Sequence, residues 1–470
     1  MSKKENKKQS KPINRDKLAS KGSKQGEQKA ETANRQAQAR GPAAEMSGPV
    51  LSLKLTGMAH GGEAFGRDDA GRIVFVPYAI PGEEVRVQVV ESKKDLARGR
   101  LVEITAPSPA RVTPRCPHFG PIYTTQSANP QPKYARGCGG CQWQHIEYQA
   151  QLDLKTGIVR EQFARIGKLP DAPVMPARGS NPWNYRNHMQ FALDPEGRIC
   201  LQMLESHDLI PIRECQLMDA PVESLFATLE LEGADFDAVR LRAGENTGDR
   251  MIIFEATGTE PPEIETDEPV SIHFEIDGID VTLIGREALE ERVRERTFRI
   301  SAQSFFQVNT PMAETLLAQV ERYLDPRADE TLLDAYGGVG LFGLSLAPRV
   351  ARVIEVEENP RALADARHNA REWSTIEFHE GRVEDVLPEL QTPFQLVVVD
   401  PPRAGMERGA LDALIARQPR VMVYVSCDPA TLARDARRLV DGGYRLTEVQ
   451  PVDLFPQTYH IECVARFERK

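Results

Sequence analysis

Cys427 is the side chain in this sequence best placed to act as a nucleophile. It follows the apolar run VMVYVS and precedes Asp428 and Pro429, where a strand is expected to turn into a helix. A helix N-terminus lowers the pKa of a thiol and favours the thiolate, although a lone cysteine is most often a small buried apolar residue. A thiolate can add to C6 of a pyrimidine, which makes C5 electron-rich enough to attack a methyl sulfonium.

Glu462 is the candidate for the base that this chemistry needs. After methyl transfer the C5 proton has to be removed before the thiolate can leave, and a carboxylate can accept that proton. Glu462 lies in the C-terminal segment YHIE. On residue type alone, a surface glutamate is an equally good interpretation.

The run LLDAYGGVG, residues 332–340, predicts a strand that enters a glycine-rich turn. Glu357 ends the next apolar run, where an acidic side chain can accept both ribose hydroxyls of an adenosine. The glycine spacing differs from the dinucleotide fingerprint, so the pattern favours S-adenosylmethionine (AdoMet) over NAD. A purely structural turn is the alternative. Asp334, Asp400 and Cys427 also follow apolar runs, and polar residues at successive strand ends favour a site.

Four cysteines, Cys116, Cys138, Cys141 and Cys215, have spacing that could hold a metal centre. Cys138 and Cys141 form a CxxC motif, with one cysteine upstream and one downstream. Four thiolates can bind zinc or an iron–sulfur cluster. The spacing alone favours zinc.

The elements around these residues predict an α/β protein with several domains. Residues 1–45 contain few apolar side chains and predict a disordered basic tail, which either binds RNA phosphates or is a solvated extension. Residues 46–105 alternate apolar and polar side chains between turns, as in a small β-barrel. Residues 106–300 predict a β-rich central domain that carries the cysteines. Residues 301–470 alternate buried strands with helices, as in a doubly wound, Rossmann-like parallel sheet.

Composition bounds the possible functions. The 470 residues carry a formal net charge of −10. Residues 1–40 contain 12 basic and 4 acidic side chains, so the remaining 430 residues have a net charge of −18. Taken alone, −18 argues against a nucleic-acid partner, although basic side chains cluster in KKDLARGR and REALEERVRERTFR. Seven cysteines, an odd and low count, favour a reducing cytoplasm, and no apolar run predicts a membrane span.

Four blocks of the last 170 residues carry a family resemblance. The segments SFFQVN, DPPRAG, SCDPATLARD and FPQTYHIE strongly resemble, in this order, the RNA uridine-5-methyltransferase family. The barrel resembles a TRAM domain, a small OB-like RNA-binding barrel found in part of that family. The resemblance implies an AdoMet-dependent methyltransferase domain that makes 5-methyluridine in RNA.

The resemblance also implies a role for individual residues. Cys427 matches the nucleophile and Glu462 the base. The AdoMet-binding positions of the family fall on Gln307, Tyr336, Glu357 and Asp400. Two positions depart from the family pattern: Leu341 stands where relatives often have a polar residue, and Gly381 where some have Asn.

For the cysteines, the resemblance points to iron rather than zinc. The ribosomal-RNA branch of the family holds a 4Fe–4S cluster through a similar motif, although here the first gap is enlarged by an insertion between Cys116 and Cys138. We therefore expect 23S ribosomal RNA as the substrate, a structural cluster, and a monomeric cytoplasmic protein. The alternatives are a tRNA uridine-C5 methyltransferase and a non-catalytic RNA-binding iron–sulfur protein.

Two rival methyltransferase classes fit the sequence less well. A cytosine-C5 enzyme often has a Pro-Cys pair after the fourth strand, where this chain has DPPR. An amino-methylating enzyme has an aromatic residue at the position of Arg403 and does not need Cys427.

Overall fold

The computed structural model describes residues 48–120, 122–123, 134–135, 137–231, 236–256, 264, 266 and 268–470. The basic tail predicted at residues 1–45 and most of the insertion after Cys116 lie outside these residues. Within the described part of the chain, no helix is long and apolar enough to cross a membrane.

The alternating run after Gly48 folds as a closed β-barrel, as the sequence predicts. Its strands are β1 (Val50–Met58), β2 (Ala64–Arg67), β3 (Ile73–Val76), β4 (Glu84–Ser92) and β5 (Leu96–Ala106). They neighbour one another in the order β1-β2-β3-β5-β4. Because successive side chains point to opposite faces of a strand, Leu53, Leu55, Val74 and Val76 fill the interior.

The central region contains a helix and a mixed β-sheet. Two short strands, β6 (Ile122–Tyr123) and β7 (Tyr134–Ala135), precede helix α1 (Tyr148–Arg165), which begins where the Glu147 side chain accepts a hydrogen bond from the Ala150 N–H at 3.0 Å. The following elements are β8 (His188–Leu193), β9 (Ile199–Gln202), β10 (Leu209–Pro211), α2 (Ala220–Thr228), β11 (Ala238–Ala243), β12 (Arg250–Ala256), β13 (Ser271–Ile276) and β14 (Ile279–Ile284). The sheet order is β10-β9-β8-β11-β12-β13-β14.

A hairpin of β15 (Ala288–Val293) and β16 (Arg296–Ser301) follows. Its residues belong to the run REALEERVRERTFR, whose arginines the sequence analysis interpreted as a local basic cluster. The structure corrects this interpretation, since Arg286 pairs with Asp249, and Arg299 donates to Asp365 at 2.9 Å. Much of the positive charge of this run is therefore neutralised within the protein.

The C-terminal region is a three-layer α/β unit, which confirms the predicted fold class. Its elements are α3 (Thr310–Leu324), β17 (Thr331–Ala335), α4 (Leu341–Leu346), β18 (Arg352–Glu357), α5 (Pro360–Asn369), β19 (Ile376–Glu380), α6 (Val383–Glu389), β20 (Leu396–Val399), α7 (Arg408–Arg417), β21 (Val421–Ser426), α8 (Pro429–Asp441), β22 (Tyr444–Val452) and β23 (Glu462–Arg469). The sheet order is β19-β18-β17-β20-β21-β23-β22. Strands β17 to β21 run parallel, whereas β23 is antiparallel to both of its neighbours.

The parallel strands bring their carboxyl ends to one edge of the sheet. Their apolar runs are buried between the helices, as in the fully buried strands Leu396–Val399 and Val421–Ser426. The same edge receives the residues that follow β17, β18, β20 and β21. The domain boundaries that we inferred from the sequence stay predictions.

Candidate active site

The glycine-rich turn after β17 is fixed by backbone hydrogen bonds. The N–H groups of Tyr336 and Gly337 both donate to the Val356 carbonyl at 3.0 Å. Tyr336 has a φ of 71°, a left-handed conformation that costs energy for a non-glycine residue and persists where surrounding contacts hold it. The turn therefore lies in a fixed position above the end of β18.

Glu357 ends β18 with its carboxylate anchored from two sides. One oxygen accepts the Gly338 N–H at 2.8 Å, and the other accepts the Asn359 N–H at 2.7 Å. Each carboxylate oxygen can accept more than one hydrogen bond. Glu357 can therefore receive the two hydroxyl groups of a ribose without losing its orientation.

Cys427 follows the last residue of β21, and Glu462 is the first residue of the antiparallel strand β23. Their neighbours Ser426 and Cys463 form the last pair of the ladder, and the charge of Glu462 raises the pKa of Cys427, so the two side chains lie near each other. The thiol is half-buried, and the Glu462 side chain is 4% exposed. The two residues proposed as nucleophile and base from the sequence thus lie at one point of the sheet edge.

The electrostatics of this pair differ from the sequence-based expectation. Burial, with the negative charges of Glu462 and Asp400, raises the pKa of Cys427 to about 11, against the opposing effect of Arg403. Burial also raises the pKa of Asp400 to about 7. Burial and Asp400 hold the pKa of Glu462 well above its usual range. Burial and the two carboxyl groups therefore shift the thiol pKa upward, opposite to the lowering that a helix N-terminus was expected to cause.

Gln307 lies in the loop before α3 and is buried. Its backbone carbonyl accepts a hydrogen bond from the Asn187 side chain at 3.2 Å, and Asn309 in the same loop donates to the Leu454 carbonyl at 3.1 Å. These contacts connect the loop to the central sheet and to the segment before Glu462. Among the described residues, no hydrogen bond joins the Gln307 side chain to Glu357 or Asp400.

Phe305, two residues before Gln307, is a residue that the sequence analysis missed. Its side chain is 71% exposed, whereas its neighbour Phe306 is 6% exposed and packs in the core. An exposed aromatic ring beside polar groups offers a surface on which an unstacked base can stack. Its signal in the sequence is weak, because adjacent phenylalanines do not reveal which one is buried.

A pair of buried carboxyl groups, Asp334 and Glu355, lies beneath the glycine turn. The Gly343 N–H donates to one Asp334 oxygen at 2.7 Å, and within the described part of the chain both oxygens of Glu355 lack a hydrogen-bond partner. A Cβ atom at Gly337 would lie 2.0 Å from one Glu355 oxygen, and one at Gly343 would lie 2.3 Å from the other. Part of the glycine motif therefore makes room for Glu355. The signal for this pair is a charge inside the apolar strand RVIEVE.

We expect Glu355→Gln to stabilise the apoprotein at high pH. Burial raises the pKa of Asp334 to about 7 and that of Glu355 well above its usual value. A carboxyl group with a raised folded-state pKa lowers the free energy of unfolding as the pH rises from about 4 through that pKa. The thermal midpoint of the variant should rise by about 2–4 °C at pH 8 and little at pH 5, as measured by differential scanning fluorimetry.

Glu377→Gln is the matched control for this prediction. Its partners His379 and Arg352 hold the pKa of Glu377 below its usual value, so losing its charge should not stabilise the protein at pH 8. A Glu355→Gln variant with an unchanged or lower midpoint at pH 8 would contradict the cost assigned to the buried pair.

The four predicted metal-binding cysteines line one cavity of about 170 Å³ in the central region. All four are free thiols. Within the described residues, however, no group of three or more His, Cys, Asp or Glu side chains is arranged to hold a metal ion. The thiols thus border a shared space, and as they stand they form a ready-made ligand set neither for the zinc ion that the spacing favoured nor for a cluster.

Hydrogen-bond donors surround the sulfur atoms of this cavity. Backbone N–H groups donate to Cys116 and Cys215, and the Gly140 N–H donates to Cys138 at 3.4 Å. The Gln144 side chain hydrogen-bonds to Cys141. Burial raises the pKa of Cys138 to about 11 and disfavours the bare thiolates. Donors directed at sulfur are among the features that tune iron–sulfur clusters.

Comparison with known proteins gives two matching families and several full-length relatives. The family described as tRNA (Uracil-5-)-methyltransferase matches residues 279–470, and the TRAM domain matches residues 44–102. An uncharacterized RNA methyltransferase of Streptomyces avermitilis is 36% identical over 443 residues, covering 90% of this chain and 98% of the relative. One from Gloeobacter violaceus is 35% identical over 467 residues, covering 91% and 98%.

A solved structure agrees with these matches. It is the crystal structure of Pyrococcus abyssi tRNA (uracil-54, C5)-methyltransferase in complex with S-adenosyl-L-homocysteine, which superposes with a TM-score of 0.68 at 25% identity. The match covers 89% of this chain and all of the other.

Proposed function

Since this chain belongs to the RNA uracil-5-methyltransferase family and carries a TRAM domain, we propose that it methylates C5 of a uridine in RNA through a covalent Cys427–C6 intermediate. The observation that supports this proposal is the pairing of Ser426 with Cys463 between β21 and β23, because their neighbours Cys427 and Glu462 then lie at the same end of the ladder. The first can act as nucleophile while the second receives the C5 proton.

In this mechanism the Cys427 thiol gives its proton to an ionised carboxyl group other than Glu462, and its sulfur adds to C6 of the uracil while the C5–C6 π electrons move to C5 and O4. AdoMet would supply the methyl group, which C5 takes from the sulfonium as S-adenosylhomocysteine leaves. Glu462, ionised at this stage, then accepts the proton from C5, the electron pair of the C5–H bond re-forms the C5–C6 double bond, and the Cys427 sulfur leaves. Because burial raises the pKa of Glu462, its carboxylate is a stronger base than that of an exposed glutamate.

The AdoMet site that we propose uses the four residues predicted from the sequence. Glu357 receives the ribose hydroxyls, and Tyr336 lies in the turn that covers the nucleoside. Asp400 lies close enough to Cys427 and Glu462 for its charge to raise both of their pKa values. Gln307, on the loop before α3, is the fourth residue of the proposed set.

The substrate that we favour is 23S ribosomal RNA, because the cysteine motif resembles that of the ribosomal branch. A tRNA target is the second candidate, favoured by the tRNA-methylating neighbour of known structure. In either RNA the uridine has to leave its stack before a thiolate can reach C6. Phe305 offers an exposed ring for an unstacked base. The cytoplasmic location and the monomeric state stay predictions.

The metal centre that we propose is a 4Fe–4S cluster bound by Cys116, Cys138, Cys141 and Cys215. The shared cavity and the donors around the sulfur atoms support a bulky cluster more than a single zinc ion. Bound iron would offset the negative charge of four thiolates and hold together chain segments that are distant in sequence. The role that we assign to the cluster is structural.

Trapping with 5-fluorouridine tests the proposed function. We expect the purified protein, incubated with AdoMet and 5-fluorouridine-substituted 23S RNA or tRNA, to form an adduct that survives denaturing electrophoresis. Fluorine at C5 cannot be removed as a proton, so the Cys427–C6 bond persists. Sequencing the trapped RNA identifies the uridine.

Cys427→Ala is the control for the trap, and it should give no adduct. A wild-type protein that forms no adduct with either RNA would overturn the mechanism. Full cellular function of the Cys427→Ala variant would instead favour the non-catalytic RNA-binding alternative.

A further inference from the structure

The turn that joins β1 and β2 of the barrel packs against the catalytic segment of the C-terminal region. The Trp143 indole N–H donates to the Gly62 carbonyl at 3.1 Å. A Cβ atom at Gly62 would lie 2.7 Å from Cβ of Tyr459, three residues before Glu462. Gly62 also has a φ of +87°, so the close approach and the backbone both require glycine. The barrel turn therefore has a defined position at the active site.

His60 in this turn faces the residue that follows the nucleophile. Its Nε2 atom lies 3.8 Å from Oδ2 of Asp428, beyond hydrogen-bond distance. The other oxygen of Asp428 accepts the N–H groups of Ala430 and Thr431 at 2.8 and 2.9 Å, as the cap of α8. The imidazole is 31% exposed. His60 therefore lies beside the residue that follows Cys427, and part of its ring is accessible to an incoming ligand.

The carboxylate beside His60 explains why a hydrogen-bond donor is needed there. The Asp428 side chain is 25% exposed and presents a negative group that repels the phosphates of an RNA strand, whereas Asp400 is half-buried and Glu462 is buried. Burial lowers the pKa of the neighbouring His460 to about 4, so this ring is neutral at pH 7. Arg403 approaches the His460 ring at 3.5 Å. His60, on the barrel turn, is near enough to this ring to contribute to its lowered pKa.

We propose that His60 is a positioning residue of the barrel, donating a hydrogen bond to a backbone phosphate next to the flipped uridine. This inference rests on the proposed function and extends it. Phosphate contacts fix the register of a nucleic acid without reading its bases. The barrel would thus form one wall of the catalytic entrance in addition to binding RNA elsewhere.

The test uses the full-length protein and the RNA oligonucleotide that gives the 5-fluorouridine adduct. His60→Ala should lower kcat/KM for RNA about tenfold, with kcat at saturating RNA and the Kd of AdoMet unchanged within twofold. His60→Gln, which keeps an N–H donor, should recover part of the loss. Arg86→Ala is the matched control, because Arg86 pairs with Glu103 and lies opposite Ser52, at the other end of β1.

An uncharged analogue of phosphate identifies which phosphate contacts His60. A methylphosphonate replaces, one at a time, each of the two phosphates that flank the target uridine. At one of them it should lower wild-type kcat/KM about tenfold and leave His60→Ala unaffected, because groups in contact give non-additive effects. The inference would be overturned if, at both phosphates, the losses in kcat/KM caused by the methylphosphonate and by His60→Ala simply multiplied. It would also be overturned if His60→Ala lowered kcat/KM no more than Arg86→Ala does. Either result would leave the proposed function standing. A wild-type protein without any RNA adduct would overturn the proposed function and this inference with it.

Discussion

Glu462→Gln should trap the enzyme on ordinary, unfluorinated RNA. Once C5 carries both the new methyl group and its original proton, only removal of that proton lets the Cys427 sulfur leave. Glutamine cannot accept it, so a methylated covalent adduct should accumulate while turnover falls by about 10²–10⁴, the usual contribution of a general base. Denaturing electrophoresis with methyl-labelled AdoMet would show the label in a protein–RNA band.

Two further variants serve as controls for the Glu462→Gln experiment. Cys427→Ala should form neither product nor adduct, because it lacks the attacking sulfur. Glu468→Gln removes a carboxylate from the same strand, β23, where Glu468 pairs with Arg445 and Arg466, and it should retain turnover. A Glu462→Gln variant that turns over normally, or that releases its product without an adduct, would assign the base to another group.

The buried carboxyl groups also affect the reactivity of the Cys427 thiol. Burial, together with the charges of Glu462 and Asp400, raises the pKa of Cys427, so the site disfavours a free thiolate in the absence of its substrates. A positively charged sulfonium placed beside these groups would favour their ionised forms. The arrangement thus suppresses reaction of the thiol until the site is filled, which accords with a nucleophile that is only half-buried.

Local patterns were enough to predict the strands that hold this site. The apolar runs before Asp400 and Cys427 fold as β20 and β21, and the glycine turn and Glu357 lie at the same edge. The proximity of Cys427 and Glu462 could not be derived from spacing, because it depends on the antiparallel position of β23 beside β21. There the sequence analysis relied on family resemblance.

The contacts between the barrel, the central region and the C-terminal region could not be predicted either, because they join residues that are distant in sequence. His60 and Asp428 are far apart along the chain, and no periodicity relates a barrel turn to a helix cap. Glu355 was missed because a charge in a buried strand has no meaning until its neighbours Gly337 and Gly343 are known. The arginines after Arg286 were misread because a linear run does not show which acidic side chains lie opposite.

The segment before Glu462 is held mainly by the central region. The N–H groups of Gln142 and Trp143, directly after Cys141, both donate to the Gln457 carbonyl at 3.0 Å. The Gln151 side chain forms hydrogen bonds with the side chain and the backbone N–H of Gln457 at 3.0 and 3.1 Å. The residues next to the cysteine cavity thus determine where the strand of the proposed base begins.

Lys155 and Asp453 form the ion pair at the centre of this junction. Their side chains are both 0% exposed, with Nζ 2.6 Å from the carboxylate, and Nζ also donates to the Phe455 carbonyl at 3.2 Å. Lys155→Met would leave the Asp453 charge buried without its partner, which costs about 3–5 kcal/mol. We expect a clear fall in the thermal midpoint and a loss of adduct formation at temperatures where the wild type reacts.

The double variant Lys155→Met with Asp453→Leu separates the cost of the lone charge from the role of the junction. Replacing both partners by apolar side chains of similar size is often neutral for stability, so the double variant should recover most of the midpoint. Adduct formation should recover only partly, because the bond from Lys155 to Phe455 is still missing. Hydrogen exchange of residues 453–462 should be faster in the single variant than in the double. A double variant no more stable than the single one would contradict this account, since the loss would then arise from packing and not from an unpaired charge.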